Sequence, residues 1–139
     1  RYAAEDAQFS IKEIDIGMAA DVGTLQRLPR IIGDGMLREL AYTGRQFGAE
    51  EARSIGLVNR VFADYESLLA GVMDLAQQIA AKSPIAVTGT KAMISYMRDH
   101  TVNDGLEYVA TWNSAMLQSN DLRVAIAAHM SKQKPEFVD

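Results

Sequence analysis

From Asp64 almost to the last residue, apolar side chains recur at helical spacing with no break longer than a turn, and this regularity limits the architecture more than any other feature. Leu68, Val72, Leu75 and Ile79 outline one apolar face, which closes before Ser83-Pro84. Ser83 is placed to cap a second helix with Pro84 in its first turn, running through Lys91 to about Arg98. A third helix is expected from about Val102 to Gln118, and a small-faced one from Asp121 to about Met130. Strand signals are confined to two short stretches, near 7–11 and 57–62. Two short strands are marginal by themselves, so the chain is expected to be mainly α, with those strands seeking partners elsewhere. Either the domain is essentially helical, or its sheet lies on sequence that precedes Arg1.

The first third is more broken. Asp21 is expected to cap a helix through VGTLQRL that reaches Pro29, and Gly33 to Gly35 interrupt the chain before MLRELAYT, whose spacing is helical. Gly44 should stop that helix, and AEEARSIG reads as another, ending at Gly56. No repeat, low-complexity tract or long linker is present. The expected division is residues 1–63 as a core part and 64–139 as a helical part.

Composition narrows the function. Fourteen Lys and Arg against 18 Asp and Glu give a formal net charge of -4 without a basic block, which argues against nucleic-acid binding. Without cysteine, and with only His100 and His129, a zinc site is not expected, and the chain fits a reducing compartment. No window approaches the ~20 apolar residues of a membrane span, and the opening lacks a signal-peptide layout, so a soluble protein is expected. The opening RYAAEDAQFS has no Met and runs directly toward a strand, which reads as the middle of a longer chain.

Chemistry is concentrated in KEIDIGMAADVGTLQRLP, Lys12 to Pro29. Its acids are Glu13, Asp15 and Asp21, and the apolar run Ile16 to Ala20 offers no cation to neutralise them. Small residues at Gly17, Ala19 and Ala20 leave room for a ligand. Two acids facing one apolar cavity form a donor and acceptor pair, because such walls raise a carboxyl pKa toward working pH. The plainer alternative makes Asp21 a helix cap, and Glu13 and Asp15 solvated loop acids. The glycines form no phosphate-binding pattern, and Trp112 with Tyr108 reads as core or interface. On residues alone, His129 is a packing or ligand-edge group, and Lys132 with Lys134 a solvated helix end.

Taken together, EIDIGMAADVGTLQRLPRIIG, AYTGRQFGAEEARSIGLVNRVF, SPIAVTGTKAMI and SNDLRVAIAAHMSKQKPEF resemble the enoyl-CoA hydratase/isomerase, or crotonase, superfamily over nearly the whole chain. The resemblance implies the C-terminal half of an α/β crotonase-like ββα spiral fold, with a helical trimerisation region. Hydratases of the family usually carry a glycine where Asp21 stands; an aspartate there is similar to the dienoyl-CoA isomerases. By resemblance, Glu13 serves the carbon beside the thioester carbonyl and Asp21 the far end of the diene, while Asp15 is structural. The resemblance also implies no metal and no cofactor beyond coenzyme A as part of an acyl-CoA substrate, and a homotrimer or hexamer. The tail departs from the family, with Val124 and Ala125 in place of Glu-Gly and His129 in place of Phe, but it retains Lys132. Lys132 and His129 are then expected to contact the coenzyme A of a neighbouring subunit.

The expected activity is double-bond isomerisation in fatty-acid β-oxidation, with enoyl-CoA hydration as the alternative. The different-class alternative is a helical assembly fragment without catalysis. The backbone N–H groups that hold the thioester oxyanion belong to the family's first half, so residues 1–139 alone are expected to be nearly inert, since such donors contribute ~3 kcal/mol or more. The ending PEFVD lacks the Ser-Lys-Leu address, which favours a bacterial cytoplasm over a peroxisome.

Overall fold

A computed structural model describes residues 1–137 and resolves two compact units, Arg1–Met73 and Asp74–Asp139. As expected, the chain is mainly helical.

In the first unit the strands are β1 (Tyr2–Ala4), β2 (Gln8–Phe9), β3 (Phe47–Gly48) and β4 (Arg60–Phe62). The expected strand near 7–11 is only two residues long, that near 57–62 only three, and β1 and β3 were not anticipated. Nor do the strands lack partners. β1 runs parallel to β4, with Tyr2 opposite Arg60, and β2 runs antiparallel to β3, with Phe9 opposite Phe47. The Phe9 and Phe47 rings stack at 5.5 Å between centroids, which ties the second pair to the core.

The core gathers under these pairs. Ile11, Ala20, Ile32, Leu37, Leu40 and Phe47 are buried together, and Leu40 is wholly inaccessible. Leu37 and Leu40 come from α2 (Asp34–Thr43), where an i, i+3 pair points one way. α2 ends, as expected, at Gly44, whose φ of 60° is left-handed. Behind it Arg45 joins Glu39 at 2.8 Å and both oxygens of Glu51, so that α3 (Ala49–Ser54) is fastened to the end of α2. α4 (Tyr65–Ala80) crosses the division between the units. Its Gly71 admits the Phe62 ring, which occupies the space a Cβ would need.

The second unit holds α5 (Pro84–Tyr96), α6 (Val102–Met116) and α7 (Asn120–Ser131). Ser83 caps α5 by accepting from the Ala86 N–H, as its sequence position indicated. Thr101 and Asp104 form a reciprocal capping box on α6. α5 and α6 meet where Gly89 leaves room for Trp112, with indole Nε1 only 2.5 Å from where a Cβ would stand. This unit buries little apolar surface: beyond Met73, Ala128 is the one buried hydrophobic residue among those described. Ile94, Leu106, Ile126 and Met130 remain exposed, the last at 80%. No helix is long and apolar enough to cross a membrane among the described residues.

Candidate functional site

Glu13 opens a 3-10 helix, Glu13–Ile16, that follows the buried Ile11. Gly17 ends it at φ 74°, and the chain turns back so that the Met18 N–H donates to the Glu13 carbonyl at 3.0 Å. The turn is therefore closed on the residue that carries the carboxylate, and Glu13 is half-buried. Outside it stands the end of α2. A Cβ at Gly44 would lie 2.9 Å from both Asp15 Oδ1 and Ile14 Cγ2, so glycine there serves two needs, a left-handed backbone and a close approach.

The three acids differ. Asp15 is not without a cation: Lys12 Nζ donates to it at 2.9 Å, an i, i+3 pair across the same turn. The ion pairs and side-chain hydrogen bonds of the described residues engage neither Glu13 nor Asp21. Asp21 also does not cap a helix. α1 is only Thr24–Arg27, Gly23 occupies the N-cap position at φ 93°, and no side chain caps it. Pro29 lies just beyond, in a short 3-10 turn, Leu28–Arg30. Asp21 instead sits exposed on irregular chain next to the buried Ala20. Around both acids the apolar side chains face outward: Ile14 is 43% exposed, Met18 47% and Val22 74%.

His129 and Lys132 are neighbours at the end of α7, both exposed. Lys132 is the one described non-glycine residue with positive φ, 54°, and its N–H donates to the His129 carbonyl at 3.2 Å. Among the described residues no three His, Asp or Glu side chains gather in a way that would hold a metal ion.

One cluster joins residues far apart in the sequence. Asp121, 8% exposed, accepts a short hydrogen bond from Ser83 Oγ, joining the starts of α5 and α7. The pair borders a cavity of about 230 Å³, also lined by Trp112, Met116 and Leu122. Each residue was legible as a helix start; their pairing across 38 positions left no local signal.

The family profile for enoyl-CoA hydratase/isomerase matches residues 1–139. The peroxisomal Delta(3,5)-Delta(2,4)-dienoyl-CoA isomerase of Arabidopsis thaliana is 54% identical over 137 residues, covering 99% of this chain and 49% of its own length. The mitochondrial Delta(3,5)-Delta(2,4)-dienoyl-CoA isomerase of Homo sapiens is 52% identical over 129 residues, covering 92% and 39%. Among solved structures, an enoyl-CoA hydratase from Bacillus anthracis superposes with a TM-score of 0.93 at 33% identity, covering 99% of this chain and 53% of that one. The chain spans about half, or less, of the length of the curated relatives it matches. These relatives, named as peroxisomal and mitochondrial, overturn the expectation of a bacterial cytoplasm. That expectation tested one C-terminal address, and mitochondrial targeting is written at the N-terminus, where PEFVD carries no information.

Proposed function

The chain belongs to the enoyl-CoA hydratase/isomerase family, and from that premise we propose that it is the acid-bearing part of a dienoyl-CoA isomerase acting in fatty-acid β-oxidation. Its fold is that of the crotonase-like hydratases. The observation that carries the proposal is the division of labour in one segment. Asp15 is tied to Lys12, while Glu13 and Asp21 keep their carboxyl groups unengaged among exposed apolar side chains. A proton carrier needs a free lone pair, and a fatty acyl chain needs an apolar wall.

In the proposed reaction one carboxylate removes a proton at one end of the conjugated system. Electrons shift along the chain as a dienolate delocalised onto the thioester oxygen, and the other carboxyl delivers a proton at the opposite end. Glu13 serves the carbon beside the thioester and Asp21 the distal carbon, with the direction of transfer reversible. The steps move protons and conserve electrons, so coenzyme A enters only as part of the substrate and neither a cofactor nor a metal has a step to perform. His129 and Lys132 contact the adenine and phosphates of coenzyme A held by a neighbouring subunit. The uncovered Ile94, Leu106, Ile126 and Met130 support assembly into a homotrimer or a pair of trimers.

The test offers the full-length protein a dienoyl-CoA and a simple enoyl-CoA while ultraviolet absorption is followed. Diene migration, lost in Asp21→Asn with folding retained, is the expected result. Water addition without migration, or full turnover in Asp21→Asn, rules the proposal out.

A further inference from the structure

We infer that Arg27 is the positioning residue for Asp21, an inference that rests on the role proposed for that aspartate. Asp21 has no regular structure around it and no side-chain partner among the described residues, so its placement depends on what holds the chain on either side. On one side Ala20 is buried in the core. On the other, Arg27 reaches back. Its Nη1 donates to the Val22 carbonyl at 3.0 Å, and its backbone N–H donates to the Gly23 carbonyl at 3.1 Å. Two successive peptide units are thus held by one residue.

The guanidinium also covers Gly23. A Cβ at that position would stand 2.9 Å from Arg27 Cζ and 3.3 Å from Nη2, so the planar group rests against a backbone that only glycine leaves open. Gly23 is left-handed at φ 93°, which brings the carbonyl of Val22 within reach of an arginine five residues further on. Asp21 and Val22 form a two-residue span fixed at both ends, by burial and by this clamp. Lysine has one point of donation and no plane with which to cover the glycine, so it does not reproduce the clamp.

Release of the span displaces the carboxylate from its proton-transfer position while Glu13, on its own closed turn, is untouched. The test measures kcat, KM and thermal midpoint for Arg27→Met, Arg27→Lys and Asp21→Asn in the full-length protein. It also measures exchange of the proton beside the thioester with solvent deuterium, the half-reaction assigned to Glu13. Arg27→Met is expected to lower kcat for isomerisation ~10- to 100-fold, leave KM unchanged and keep the exchange, with Arg27→Lys in between. Arg27→Gln, which retains a donor, replaces the Met variant if the latter does not fold. Wild-type kcat in these variants, or exchange and KM failing along with kcat, overturns the inference. Full turnover in Asp21→Asn removes the isomerase reading itself, whereas an inactive Asp21→Asn beside a fully active Arg27→Met removes only Arg27.

Discussion

Substitution of Gly44 by alanine strikes the site without touching either proposed acid. Two costs arise from different causes. The left-handed backbone at φ 60° costs an L-residue about 1–2 kcal/mol. The new methyl would also lie 2.9 Å from Ile14 Cγ2 and from Asp15 Oδ1, and overpacking of this kind typically costs about 1–3 kcal/mol. Asp15 can swing its oxygen aside, but the Ile14 methyl branches at Cβ and moves only with the turn that bears Glu13. The combined loss, about 2–5 kcal/mol, corresponds to a fall in thermal midpoint of roughly 4–20 °C for a protein about twice this length. Because the turn shifts, kcat for isomerisation should also drop, by ~10-fold or more. Calorimetry and ultraviolet turnover on full-length Gly44→Ala read both effects. Gly44→Asn separates them, since asparagine tolerates the left-handed region but still brings the Cβ. A Gly44→Ala protein with wild-type midpoint and turnover refutes the reasoning, and wild-type behaviour in Gly44→Asn refutes the steric half alone.

Ser83→Ala should destabilise the full-length protein by about 1 kcal/mol for the lost cap and a further 1–3 kcal/mol because the nearly buried Asp121 loses its partner, and a double-mutant cycle with Asp121→Ala in denaturant titrations should be strongly non-additive. Lys132→Gly keeps the left-handed backbone without strain and removes the side chain with its ammonium; it should raise KM for acyl-CoA about 10-fold with kcat unchanged, as steady-state kinetics would show. Glu51 is held below the usual carboxylate range, chiefly by hydrogen bonds from the Arg45 guanidinium, while desolvation opposes the shift. Its folded pKa is the lower one, so its contribution is complete above about pH 4.3 and is lost as pH falls through the folded value. Circular dichroism on acidification should show that loss, and Glu51→Gln should flatten it.

Features written in adjacent residues were legible in the sequence. Gly44 as a stop, Ser83-Pro84 as a start and the spans of α6 and α7 all depend on local backbone preferences, and the structure places them where they were expected. The two strand pairs were not legible, because segments of two or three residues have no measurable period and their partners lie far along the chain. Asp21 was misread as a possible cap because an acid before a short helix usually is one; here the left-handed Gly23 takes that position and leaves the aspartate outside. The pairing of Lys12 with Asp15 was open to view, since three residues is one 3-10 turn, but the expectation of loop rather than turn at that point concealed it. Arg27 lies in one of the stretches that carry the resemblance, but nothing in that stretch assigns it a role. Its role depends on a reach back past a glycine whose φ no composition rule announces.

The parallel join of Tyr2 to Arg60 has a consequence for biosynthesis. Every residue proposed to handle protons lies inside the loop that this join closes, and the Asn59 N–H extends it by donating to the Arg1 carbonyl at 2.7 Å. A nascent chain leaving the ribosome exposes Glu13, Ile16 and Val22 well before the residues that complete the ring have emerged. Long-range closure of this kind is slow relative to helix formation. The greasy acid segment therefore waits for this ring to close, an interval in which a chaperone or a neighbouring chain has access to it.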